Sequence, residues 1–93
     1  MSKIARSMLV SGRVQGVGFR WMAKMVADKL QITGKVENRD DGSVYIEAVG
    51  EPVNMAKFAA AIKASPTPSG RVDHYEEKVI DPIPAYDRFR VTG

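Results

Sequence analysis

Cysteine is missing from the sequence altogether, and histidine occurs once, as His74. The first absence excludes disulfides, thiolate metal sites and a thiol nucleophile. The second removes paired-imidazole metal sites and leaves only carboxylate-rich metal binding open. Long apolar runs are lacking too. Met8, Leu9 and Val10, behind Lys3 and Arg6, form a stretch too short for a secretory h-region and far too short for a bilayer. A cytoplasmic location with no membrane partner is therefore expected. Charge of one sign is nowhere concentrated: 14 Lys and Arg against 11 Asp and Glu give a net +3 spread along the chain. That excess favours an anionic ligand but lacks the basic block of a nucleic-acid or membrane tail. With 93 residues and no staples, two separate cores would each be too small, so one domain spanning 1–93 is expected, by default a monomer.

What is present is a regular alternation of patterns. Ile4–Gly12 carries a short apolar cluster and ends in glycine, as a buried strand does. From Phe19, the residues Phe19, Met22, Ala23, Val26, Ala27 and Leu30 recur at helical spacing, with Lys24, Asp28 and Lys29 on the other side. Thr33–Asn38 and Ser43–Val49 flank the turn signal R-D-D-G and read as a hairpin. Pro52 opens a second helix with Met55, Phe58, Ala59 and Ile62 on one face, and the prolines of S-P-T-P-S-G stop it. Arg71–Ile80 reads as a fourth strand, and R-F-R-V near the end as a short edge strand. The order is βαββαβ, an α+β ferredoxin-like sandwich with two helices on one face of a mostly antiparallel four- to five-stranded sheet. In that topology strands one and two run parallel with strand three between them. Their C-terminal ends then lie at the same edge, about 10 Å apart.

The joint after strand one, S-G-R-V-Q-G-V-G-F-R, holds three glycines and two arginines. Gly12, Gly16 and Gly18 permit positive φ and close approach to the main chain, and successive amides in such a loop converge on an anion beside a helix N-terminus. Arg20, in the first helical turn, suits bidentate contact with a phosphate. The same residues also suit a plain strand-to-helix turn with Arg13 and Arg20 as solvated charges, and the glycines by themselves favour that reading. The spacing matches neither a P-loop nor a Rossmann fingerprint. Asn38, read alone ahead of Asp40, Asp41 and Gly42, is a turn former, and the two aspartates are better explained by the turn than as a metal pair.

Taken together, V-S-G-R-V-Q-G-V-G-F-R at Val10–Arg20, N-R-D-D-G-S-V at Asn38–Val44 and Gly50 closely resemble the acylphosphatase family, over nearly the whole chain. The resemblance implies a hydrolase that needs no metal or other cofactor and cleaves small acyl phosphates to carboxylate and inorganic phosphate. It implies a phosphate-binding loop of Arg13, Val14, Gln15, Gly16, Val17 and Gly18, whose amides wrap the phosphoryl oxygens. Arg20 is implied as phosphate anchor and Asn38 as holder of the attacking water, the two catalytic residues. Lys35 and Glu37 depart from the family pattern, which has an aromatic residue and a basic or neutral one at these positions. Strand alternation puts both on the face opposite Val36 and Asn38, so the departure bears on stability and on how firmly Asn38 is held. No feature describes a pocket for the acyl group.

Two rival readings remain. An RRM-like nucleic-acid-binding module shares the element order and G-V-G-F-R has a passing likeness to its aromatic strand motif, yet here the stretch leads into a helix. Tyr45 is the only aromatic on the expected third strand. A non-catalytic anion-binding domain would use the same loop without turnover. His74, between Asp73 and Tyr75 on a strand, reads as a surface residue and not as a base.

Overall fold

The computed structural model describes residues 2–93. The strands are β1 (Ile4–Arg13), β2 (Thr33–Asn38), β3 (Val44–Gly50), β4 (Arg71–Val79) and β5 (Phe89–Thr92), and the helices are α1 (Phe19–Lys29) and α2 (Pro52–Lys63). The five strands form one sheet in the order β4-β1-β3-β2-β5. Strands β1, β3 and β2 pair antiparallel in turn, β4 joins β1 antiparallel, and β5 runs parallel beside β2. The expected sandwich is present, with R-F-R-V forming the edge strand.

Alternation sorts the sheet into two faces. Met8 and Val10 of β1, Val36 of β2, and Val44, Ile46 and Ala48 of β3 are buried under the helices, where they meet Phe19, Ala23 and Ala27 of α1 and Met55, Phe58 and Ile62 of α2. Fully burying a side chain of this size contributes about 1.5–3 kcal/mol, so this shared layer is what holds the helices to the sheet. Phe89 of β5 closes the layer by meeting Phe58 edge to face, ring centres 5.8 Å apart. Register then decides the site. Because Val36 faces the helices, Asn38, two residues on, faces them too, and its Cα partner on β3 is Val44.

Lys35 and Glu37 occupy the opposite face, as alternation requires, and pair with each other at 2.9 Å. Lys35 also lies 5.7 Å from the centre of the Tyr45 ring. An ion pair and a cation–π contact thus stand where the family pattern has an aromatic residue. Alongside them, both oxygens of Glu47 accept hydrogen bonds, one from the Tyr45 hydroxyl at 2.7 Å and one from the Tyr86 hydroxyl at 2.6 Å. Tyr86 lies in the segment between β4 and β5, so this carboxylate ties that segment onto the outer face of the sheet.

Gly12 differs from the sequence expectation. It does not open the loop: β1 continues through Arg13, and Gly12 sits at an irregularity in the β1–β4 register. Its φ is +129°, and a Cβ there would overlap the Arg71 carbonyl oxygen and lie 2.8 Å from the Asp73 amide nitrogen. This glycine serves close strand approach at a bulge and not a ligand.

Candidate active site

The loop between β1 and α1 is pinned from several sides. Val14 is buried in the core and Val17 packs against it. The Gln15 side-chain amide donates to the carbonyls of Arg39 and Ser43, both at 2.8 Å, which binds the loop to the β2–β3 turn. The buried Thr67 hydroxyl, from the segment after α2, donates to the Val17 carbonyl at 3.0 Å. The β2–β3 turn is itself fixed by Asp41, whose carboxylate accepts from the Ser43 amide at 2.9 Å and the Ser43 hydroxyl at 2.6 Å. Those two bonds, the hydroxyl's first, hold the Asp41 carboxyl below its ordinary pKa. Asp41 therefore works as a turn former.

These ties act on side chains and carbonyls and leave the loop's amides free. Among the described residues, none of the amides of residues 15–21 donates to a backbone carbonyl. Helix α1 starts from Gly18, which is left-handed at φ +79° and offers no side chain to cap the helix, and its first turn has no acidic residue. Helices usually fill this position with Ser, Thr, Asp or Asn, worth about 0.5–2 kcal/mol. Here the positive end of the helix dipole is left open toward one cleft.

That cleft, of about 200 Å³, is walled by Val14, Gly16, Gly18, Phe19, Arg20 and Trp21 from the loop and helix, Asn38 from β2 and Val91 from β5. It brings together Val14, Gly16, Gly18, Arg20 and Asn38 from the sequence-derived set. Gln15 and Val17 position the loop from outside the wall, and Arg13 is exposed at the end of β1, opposite Arg71. Nothing lies within 4 Å of where a Cβ on Gly16 or Gly18 would stand, so both glycines border open space.

The two polar side chains of the cleft differ in state. The Arg20 guanidinium donates from one terminal nitrogen to the carbonyls of Thr92, at 3.1 Å, and Gly93, at 3.0 Å. Strand β5, called only a short edge strand from sequence, thereby orients the cation. The Asn38 side-chain oxygen is buried with no hydrogen-bond partner among the described residues. Such an orphaned acceptor costs about 1–3 kcal/mol when water does not complete it, and it belongs to a residue that lines the same cleft as an open helix N-terminus. A dianion on the amides and Arg20, with a water donating to Asn38, would satisfy both.

A larger cleft of about 440 Å³ lies at the other end of the sheet, where Lys3 and Arg88 share the wall with Asp28 and Glu51. The two carboxylates offset the two cations there, and an anion gains more at the smaller, carboxylate-free cleft. His74 faces neither; it lines a separate hollow with Ser11, Asp41 and Glu76. The stretch G-V-G-F-R crosses from loop into α1, away from the sheet centre where an RRM would need it.

Sequence reading missed Trp21 and Val91. Trp21 did carry a signal, since a large apolar residue sat beside Arg20 and off the buried stripe of α1. Val91 lacked one, because its place in the wall depends on β5 pairing with β2.

A family model described as Acylphosphatase matches residues 6–91. The chain belongs to the acylphosphatase family. It is 55% identical over 93 residues to the acylphosphatase of Lacticaseibacillus paracasei, covering 100% of both chains. It is 54% identical over 84 residues to that of Latilactobacillus sakei, covering 90% of this chain and 91% of the other. Among solved structures, the acylphosphatase from Bacillus subtilis superposes with a TM-score of 0.92 at 36% identity, covering 97% of this chain and 99% of that one. An acylphosphatase from Coxiella burnetii gives 0.91 at 31%, covering 97% and 93%. By this membership the chain is a hydrolase of the acylphosphatase type, and neither rival reading finds support among these relatives.

Proposed function

We propose that this acylphosphatase-family chain hydrolyses small acyl phosphates in the cleft between the β1–α1 loop and the end of β2. The observation that carries the assignment is the orphaned Asn38 oxygen in the same cleft as an uncapped, acid-free helix N-terminus. Main-chain amides of the loop after β1, from Gln15 to Gly18, seat the phosphoryl oxygens, and Arg20, held by carbonyls at the end of the chain's last strand, grips the same group. Phosphoryl transfer passes through a loose transition state with charge on the equatorial oxygens, so fixed donors aimed at them supply most of the catalysis.

The attacking water donates one hydrogen to the Asn38 oxygen, which turns a lone pair toward phosphorus. As the water oxygen bonds to phosphorus, the bond from phosphorus to the acyl oxygen breaks and the carboxylate leaves with that electron pair. The water's proton passes to a phosphate oxygen, giving inorganic phosphate. Carboxylate is a good leaving group and needs no general acid, and no cofactor enters the step. We place the enzyme in the cytoplasm as a one-domain monomer.

The test is hydrolysis of benzoyl phosphate by purified protein in excess chelator, with Arg20→Ala and Asn38→Ala beside it. Turnover lost in Arg20→Ala together with weakened competitive inhibition by phosphate supports the seat. Either folded variant retaining wild-type hydrolysis removes the role assigned to that residue. A steep loss of turnover from titration of an enzyme group near neutral pH, after correction for substrate ionisation, refutes the substrate-assisted proton transfer.

A further inference from the structure

The apolar residues that wall the cleft differ in exposure. Val14 and Phe19 are only 1% exposed and offer a ligand almost no surface, whereas Trp21 is 60% exposed and Val91 39%. Trp21 belongs neither to the core cluster nor to the residues packed against it. It stands in the first turn of α1, next to Arg20, and lines the cleft while staying largely exposed. The fold gains little from it there, since a tryptophan stabilises mainly through the 150–250 Å² that burial removes from water. The cleft's volume of about 200 Å³ equals several waters at about 30 Å³ each, more room than a phosphate alone requires.

We propose that Trp21, with Val91, is the specificity-determining contact for the acyl group, and that it selects acyl phosphates whose acyl part is planar and apolar, benzoyl-like in preference to acetyl-like. This rests on the phosphate seat assigned above. With the phosphoryl group on the loop amides, the acyl group projects to the mouth, where indole and valine are the exposed apolar surfaces available. An aromatic acyl group gains contact with the indole that an acetyl group is too small to make, and burying the indole and valine completes a desolvated surface around the reacting bond.

The experiment compares kcat/KM for benzoyl phosphate with that for acetyl phosphate in wild type, Trp21→Ala and Trp21→Phe. A comparison of ratios cancels the intrinsic reactivities of the two substrates. The ratio is expected to fall about tenfold in Trp21→Ala, mostly through KM for benzoyl phosphate, and to recover largely in Trp21→Phe; tenfold corresponds to about 1.4 kcal/mol. A second readout needs no turnover. Trp21 is the sole tryptophan, so phenylphosphonate should change its fluorescence at lower concentration than methylphosphonate does. Both substrates hydrolysed with a ratio unmoved by Trp21→Ala, or equal fluorescence responses to the two phosphonates, overturns the specificity role and leaves the phosphate seat standing. Hydrolysis of neither substrate by wild type overturns both.

Discussion

Asn38→Ala separates the cost of the site from its function. The Asn38 oxygen is buried with no partner among the described residues, an arrangement that costs about 1–3 kcal/mol when water does not complete it. Truncation to alanine removes that penalty and gives up side-chain contacts worth about 1 kcal/mol at an ordinary partly buried position. The net effect on folding therefore runs from about zero to about 2 kcal/mol of stabilisation. At about 4–8 °C per kcal/mol for a domain of this size, Tm should hold or rise by as much as about 16 °C. Turnover should move the other way. On the proposed role of Asn38 in orienting the water, kcat should drop at least about 100-fold, while KM, assigned to the loop amides and Arg20, changes little. Thermal unfolding followed by circular dichroism and steady-state hydrolysis of benzoyl phosphate read the two quantities on one sample. A variant whose Tm falls by several degrees while kcat stays near wild type would refute the reasoning, because Asn38 would then be an ordinary structural residue.

Arg20→Ala should abolish measurable turnover and weaken phosphate inhibition at least about tenfold, as read in a competitive inhibition assay, since a charge-assisted bidentate contact contributes about 1.5–3 kcal/mol. Gly12→Ala should lower stability by about 2–4 kcal/mol, from positive-φ strain plus the clash with Arg71 and Asp73 across the bulge, visible as a drop in the urea midpoint at unchanged m-value. The Glu47 carboxyl is raised by burial, but the Tyr86 and Tyr45 hydroxyls and the Lys35 and Arg39 charges outweigh this and leave its pKa below the ordinary value. A depressed folded-state pKa gives stability that is complete above the unfolded value near 4.5 and is lost as pH falls through the folded value. Glu47→Gln should therefore flatten the acid limb of a stability–pH curve below about pH 4.5. Burial, with the Glu47 bond next, pushes the Tyr45 phenol up to about 12 from 10.0, so stability held by that group falls as pH rises from 10.0 toward about 12 and the loss should vanish in Tyr45→Phe.

Local rules made most of the fold legible. The helical stripe from Phe19, the alternation of Val44, Ile46 and Ala48, and Pro52 at a helix start each act within a few residues, and each element stands where its pattern placed it. The loop side of the cleft was legible for the same reason, since Gly16, Gly18 and Arg20 lie within five residues of one another. What the pattern left unread depends on distant partners. Gln15 reaches across to Arg39 and Ser43, Thr67 to Val17, Tyr86 to Glu47, and Arg20 to the carbonyls of Thr92 and Gly93. Nothing local in glutamine, threonine or tyrosine announces such a contact. Gly12 shows the converse error: the residue was read as permitting positive φ for the loop, but the cause of its positive φ lies in β4, which sequence adjacency to the loop concealed.

The central claim is that free amides of the loop and Arg20 form a seat for a phosphate dianion, and backbone amide shifts measure it most directly. Titrating the ¹⁵N-labelled protein with inorganic phosphate should move the amide resonances of residues 15–21 and the Arg20 Nε–H downfield in a single saturable step, with the same amides unresponsive in Arg20→Ala at those concentrations. Shifts centred instead on Lys3 and Arg88, at the larger cleft beyond the other end of the sheet, with residues 15–21 unmoved, would contradict the account.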